Sequence, residues 1–128
     1  DSARLRQALS NLLNNAVQHG DPGSAITLTA RAEGEFIALS VHNTGTPIPP
    51  ESLQVIFDPL VQLSEQSAVK ISMHATNLGL GLFIAREVAH GHGGTIGVTS
   101  TLAGGTVFTM RLPCPAPAEL QVSAAARP

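Results

Sequence analysis

Apolar residues recur at three- and four-residue spacing at the start of the chain. Leu5, Ala8, Leu9, Leu12, Leu13, Ala16 and Val17 line up as one stripe, the period of an amphipathic helix. The pattern predicts a helix from Ser2 to His19, capped by Ser2 and stopped by Gly20-Asp21-Pro22-Gly23. Alternation then takes over: Ile26, Leu28 and Ala30 against Thr27, Thr29 and Arg31. This predicts strands over 25–32 and 36–41, joined at Glu33-Gly34-Glu35. Asn43-Thr44-Gly45-Thr46-Pro47-Ile48-Pro49-Pro50 is too rich in Gly and Pro for a regular element. Pro50-Glu51 opens a short helix predicted to run to about Phe57.

From Asp58 to Asn77 no period is sustained, and a stretch of that length inside a compact domain reads as a lid or a disordered loop. Leu78-Gly79-Leu80-Gly81 then leads into a helix over 82–90, ended by His90-Gly91-His92-Gly93-Gly94. Strands are predicted over 95–100 and 106–112, around a Gly104-Gly105 turn. The Ala/Pro-rich segment 114–128 reads as a flexible tail, leaving 1–113 as the domain. Strands come in pairs and outnumber crossover helices, so the expected fold is a two-layer α/β sandwich, with a mixed sheet packed on three helices.

Composition narrows the function classes. The chain has 128 residues, 43% apolar and 12% charged, with net charge −2; it is one domain with a real core and no basic footprint for nucleic acid. Trp and Tyr are missing and there are four Phe, which argues against a base-stacking platform. Cys114 is the lone cysteine and has no internal disulfide partner. With no run of about 18 apolar residues and no signal-peptide pattern, the expectation is a soluble intracellular domain without membrane contact.

Three features carry candidate chemistry. Asn11 and Asn15 lie four apart on one helical face that is otherwise apolar. They either bond to neighbouring loops or offer an amide oxygen to a hard cation such as Mg²⁺. The turn at Asn43-Thr44-Gly45 follows a strand, where glycine lets the backbone approach a flat ligand and Asn43 offers donor and acceptor edges; read alone, it is an ordinary turn. Gly79-Leu80-Gly81 opens a helix, a position suited to phosphate, although no Gly-Lys-Ser/Thr follows and Ile84 stands where a dinucleotide fingerprint has its third glycine.

These segments, in this order, resemble the ATP-binding catalytic domain of sensor histidine kinases, in the superfamily that also holds gyrase-type topoisomerases and MutL. Asn11-Leu12-Leu13-Asn14-Asn15-Ala16 matches the family's asparagine box, and Asn43 to Ile48 its adenine box. Ile56-Phe57-Asp58-Pro59-Leu60 matches its phenylalanine box, and Gly79-Leu80-Gly81-Leu82 its phosphate box. Gly105-Thr106 matches a late element in the adenine's water network.

The resemblance implies a Bergerat-type fold, Asn15 as magnesium ligand, and Asn15 and Asn11 as catalytic positions. It implies ATP contacts at Asn43, Gly45, Ile48, Leu78, Gly79, Leu80, Gly81, Leu82 and Thr106. It further implies transfer of the γ-phosphate of Mg-ATP to a histidine on a separate helical dimerisation domain, docked through Leu60, Val61 and the lid, with a response regulator downstream. The location implied is cytoplasmic, with membrane anchoring of the parent protein left open.

The chain departs from the family pattern at four places. Asn43 replaces the usual aspartate, Pro47 a second glycine, Leu60 a second phenylalanine and Gln62 an arginine. In the hydrolysing branches a glutamate occupies the position of Asn11, whose amide is no general base; this favours transfer over hydrolysis. No histidine here is followed by an acidic residue, so the acceptor lies elsewhere. His90 and His92 read as helix-end residues rather than metal ligands, and Lys70 as a solvated lysine. The alternatives are a degenerate nucleotide-binding module without transfer and an anti-sigma-type serine kinase.

Overall fold

The computed structural model describes residues 2–58, 80–114 and 121–126, the last stretch as a backbone path only. Helix α1 spans Ser2–His19, as its stripe predicts. A hairpin follows, β1 (Ile26–Glu33) and β2 (Phe36–Asn43). Helix α2 is a single turn, Pro50–Leu53, shorter than predicted. Beyond it Val55 and Asp58 donate to the carbonyls of Ser52 and Val55, at 3.1 and 2.9 Å, so the chain continues as tight turns through Val55 and Ile56, whose branched side chains disfavour a helix. Helix α3 spans Leu80–Gly91, two residues earlier than predicted. A second hairpin, β3 (Thr95–Thr101) and β4 (Gly105–Pro113), completes the predicted elements.

The expected two-layer α/β architecture is present, with two corrections. The sheet has five strands in the order β3-β4-β2-β1-β5, and every pair is antiparallel, not mixed. Both hairpins are antiparallel internally, and β4 enters beside β2 running against it, so no parallel pair arises. The fifth strand, β5, is Gln121–Ala126, inside the segment read as a shapeless tail. It pairs with β1 from Ile26↔Ala126 to Arg31↔Gln121 and covers what would otherwise be an open edge of the hairpin.

One face of the sheet carries the helices. Cross-strand neighbours on that face form apolar rows: Ala30–Leu39–Met110–Ile96, then Leu28–Val41–Phe108–Val98. Val41, Phe108 and Met110 are sealed from solvent. Helices α1 and α3 lie over them with small residues inward, Ala8 and Ala16 on one and Ala85 and Ala89 on the other, which lets the two helices pack closely. Phe57 meets Phe108 edge-on, ring centroids 6.0 Å apart at 87°. Truncating a ring in such a place costs about 3–5 kcal/mol, so residues just after α2 are tied to the centre of the core.

Candidate functional site

The next row of the inner face is polar. Asn43, Thr106 and Ser100 are consecutive cross-strand partners on β2, β4 and β3, in phase with the apolar positions before them. Asn43 is 3% and Thr106 5% exposed. Buried polar groups need partners; Thr106 finds one in Ser100 and Asn43 in the Thr44 backbone. The backbone N–H of Ile48 donates to Ser100 Oγ at 2.8 Å, and the Ser100 and Thr106 hydroxyls are hydrogen-bonded at 2.7 Å, either able to donate. Asn43 Nδ2 donates to the Thr44 carbonyl at a long 3.4 Å, leaving its Oδ1 as an open acceptor.

Two glycines let this row form. Gly105 has φ +75°, and a side chain there would stand 2.5 Å from the Asn43 carbonyl oxygen and 2.7 Å from His42 Nε2. Only glycine accepts both the backbone conformation and the approach. At Gly45 an added carbon would stand 2.8 Å from the His19 carbonyl oxygen, so the loop after β2 lies directly on the end of α1. Thr44 holds it there, its carbonyl accepting from the Asp21 N–H at 2.8 Å. Partial desolvation keeps the His19 imidazole below its ordinary pKa, favouring the neutral ring at pH 7.

Helix α1 joins the loop after β2 to the start of α3. At its C-terminal end it meets Thr44 and Gly45. Two turns earlier, the half-buried Asn11 donates from Nδ2 to the Gly81 carbonyl at 3.2 Å, fixing the first turn of α3. Between these contacts lies Asn15, 6% exposed. Its neutral oxygen suits Mg²⁺, which takes one or two protein oxygens and fills its shell with phosphate and water. Among the described residues no three of His, Cys, Asp and Glu converge on a metal position, so the donor set would be an amide oxygen with phosphates.

The structure therefore brings together Asn11, Asn15, Asn43, Gly45, Ile48, Gly81 and Thr106 around α1 and the polar row. Leu82, 2% exposed, packs in the core beneath. Leu80 opens α3 and is half-buried. Leu78, Gly79, Leu60, Val61, Lys70 and the rest of 59–79 lie outside the described residues. His92 Nδ1 bonds to the Val88 carbonyl at 2.8 Å and His90 is exposed, in line with helix-end roles. Sequence reasoning missed Ser100. The signal was present: Ser100 continues the inward phase of Ile96 and Val98, as Asn43 and Thr106 do on their strands.

Comparison with known proteins identifies the class. Residues 1–116 match the histidine kinase-, DNA gyrase B- and HSP90-like ATPase family, and the chain belongs to it. Among curated relatives, the adaptive-response sensory kinase SasA of Synechococcus elongatus is 37% identical over 114 residues, 88% of this chain and 28% of SasA. The sensor protein SrrB of Staphylococcus aureus is 36% identical over 115 residues, 90% of this chain and 19% of SrrB. The chain thus spans less than a third of these relatives. The catalytic domain of histidine kinase ThkA superposes with TM-score 0.70 at 30% identity, covering 91% of this chain and 70% of that one. Full-length ShkA in complex with AMPPNP superposes with TM-score 0.72 at 33% identity, covering 94% of this chain and 24% of ShkA. This is an ATP-binding domain of the kind found in sensor histidine kinases, and none of its described helices is long and apolar enough to cross a membrane.

Proposed function

We propose that this chain binds Mg-ATP and transfers its γ-phosphoryl group to a histidine on a separate helical dimerisation domain. The observation that carries the reading is the position of the buried Asn15 on α1, the helix that links the loop after β2, next to the Asn43–Thr106–Ser100 row, to the first turn of α3. Asn43 Oδ1 would accept from the adenine amino group, and Thr106 would complete the base contacts. The turn at Gly45 and Ile48 would lie against the base. Residues Leu78 to Leu82 would offer backbone N–H groups and the positive end of α3 to the phosphates.

Asn15 would hold Mg²⁺, which when bound screens the phosphate charge and aligns the γ-phosphoryl group for in-line attack. In the transfer the bond between the γ-phosphorus and the ADP oxygen breaks, a P–N bond to the imidazole forms, and the imidazole releases its proton. Asn11 is no base toward water: it is an amide, and its nitrogen already serves the Gly81 carbonyl. That supports transfer over hydrolysis. The partner domain would dock near Leu60 and Val61, with a response regulator as the downstream acceptor, and the domain would work in the cytoplasm.

The experiment supplies radiolabelled Mg-ATP to the chain alone and then with a histidine-bearing dimerisation domain. Label should appear on the added domain only, and be lost in acid as phosphohistidine is. Binding without any labelling would make the chain a nucleotide-binding module. Acid-stable label would indicate a serine kinase, and rapid phosphate release an ATPase.

A further inference from the structure

The two edges of the sheet differ. Strand β5 covers the outer side of β1, whereas β3 stands at the opposite end of the sheet and pairs with β4 alone. Among the described residues nothing pairs with the outer side of β3, so its seven residues, Thr95–Thr101, turn alternate backbone N–H and C=O groups outward. Sheet edges are usually blunted by lysine, proline, a bulge or an inward charge. The segment Thr95-Ile96-Gly97-Val98-Thr99-Ser100-Thr101 carries no charge and no proline. Its register with β4 runs one to one from Thr95↔Arg111 to Thr101↔Gly105, so no bulge turns it away. Thr95, Ile96, Val98, Thr99 and Thr101 are β-branched, the side chains that suit a strand best.

Two further observations lie on this edge. Gly97 sits in mid-strand, yet its φ is not positive and a side chain there would meet nothing within 4 Å. The packing of the described residues therefore gives no reason for a glycine, which weakens a strand and marks places where another backbone approaches closely. Leu102, the residue after β3, is 83% exposed, more than any other large apolar side chain among the described residues.

The strand fits itself. Antiparallel pairing about a twofold axis at Val98 sets Val98 against Val98 of a second copy, Gly97 against Thr99, Ile96 against Ser100 and Thr95 against Thr101. Thr99 of the second copy then lies beside the bare backbone of Gly97, and the threonines face one another, a pairing that favours strand association. Leu102 comes opposite Gly94 of the second copy, where no side chain opposes it. On the sheet, the charge beside this edge is Arg111, the β4 neighbour of Thr95. The twofold axis sends the two copies of Arg111 to opposite ends of the paired strands, so they do not repel. An acidic or basic peptide would find no charge along β3 to answer its own, whereas an uncharged copy needs none. We propose that β3 is a self-association edge: two copies of this chain pair antiparallel through Thr95–Thr101 and join their sheets into one, with the isologous symmetry of a twofold dimer. Pairing of this kind needs no nucleotide.

Sedimentation velocity of the chain without nucleotide tests this, over a range from about 10 µM to 1 mM. A single strand contact is a small interface, so monomer should dominate at the low end and dimer at the high end. Two double variants report the register. Thr95→Lys with Thr101→Lys sets lysine against lysine at both ends of the paired strands and should weaken the dimer by about threefold or more. Thr95→Glu with Thr101→Lys sets opposite charges there and should dimerise at least as tightly as the wild type, with the difference between the variants shrinking in high salt. Both positions are exposed, and the variants differ at residue 95 alone; thermal unfolding reads any effect of that residue on Arg111 within one chain. A wild-type chain that stays monomeric throughout would overturn the proposal. A dimer that both variants leave unchanged, or change alike, would overturn it too, because association would then use another surface.

Discussion

Replacing Gly105 by alanine would place a methyl group 2.5 Å from the Asn43 carbonyl oxygen and 2.7 Å from His42 Nε2, at a residue with φ +75°. The left-handed backbone alone costs an L-residue about 1 kcal/mol. The carbonyl belongs to the β2–β4 ladder, so it recedes only by opening the pairing at Asn43↔Thr106. The His42 ring can swing away, but it then gives up its 2.9 Å contact with the Gly104 carbonyl. Each such bond is worth about 1 kcal/mol net, which brings the expected loss to about 3 kcal/mol.

For a domain of this size that is a fall in Tm of roughly 10 °C. Because the damage falls on the polar row, ADP affinity should drop by about tenfold or more. Gly104→Ala is the control: its φ is not positive, and its added carbon would meet only the Thr101 hydroxyl, at 2.9 Å. It should cost about 1 kcal/mol or less and leave affinity nearly unchanged. Differential scanning calorimetry and nucleotide titration read both quantities. Equal losses in the two variants, or a Gly105→Ala protein as stable as wild type, would refute the reasoning.

Asn15→Ala should remove most of the Mg²⁺-dependent part of nucleotide binding and leave binding in EDTA almost unchanged, measured by titration with and without the metal. Asn43→Asp should act with opposite signs: a carboxylate in a 3%-exposed site lowers the stability of the free protein by about 1–3 kcal/mol. The same carboxylate should bind ADP several-fold tighter, because its bond to the amino group becomes charge-assisted. Asn11→Asp loses the donor to the Gly81 carbonyl and sets an oxygen against it, so denaturant unfolding should show a loss of about 1–3 kcal/mol together with weaker nucleotide binding. His90→Ala, at an exposed helix end, should change stability by less than about 0.5 kcal/mol and leave binding as it was.

The spacing of apolar positions was enough to place α1, α3 and both hairpins, because each buries one face and the period of burial is written directly into the chain. Asn11 and Asn15 were visible as polar breaks in the apolar face of α1, and Asn43 to Gly45 as a glycine turn after β2, but their meaning as one site came from the resemblance of their order to the family. What depended on tertiary structure was everything set by long-range pairing. The strand at 121–126 has no apolar alternation of its own to announce it and exists through its ladder with β1. The antiparallel sense throughout the sheet follows from which edge β4 meets, a choice made by packing between segments some seventy residues apart. Ser100 is a plain serine in sequence; only the register Ser100↔Thr106↔Asn43 puts its hydroxyl against Thr106 Oγ1 and the Ile48 N–H. The Asn11 bond to Gly81 likewise spans 70 positions. Local burial periods and turn residues are properties of neighbours along the chain, whereas these contacts are properties of the folded sheet and of the two helices laid across it.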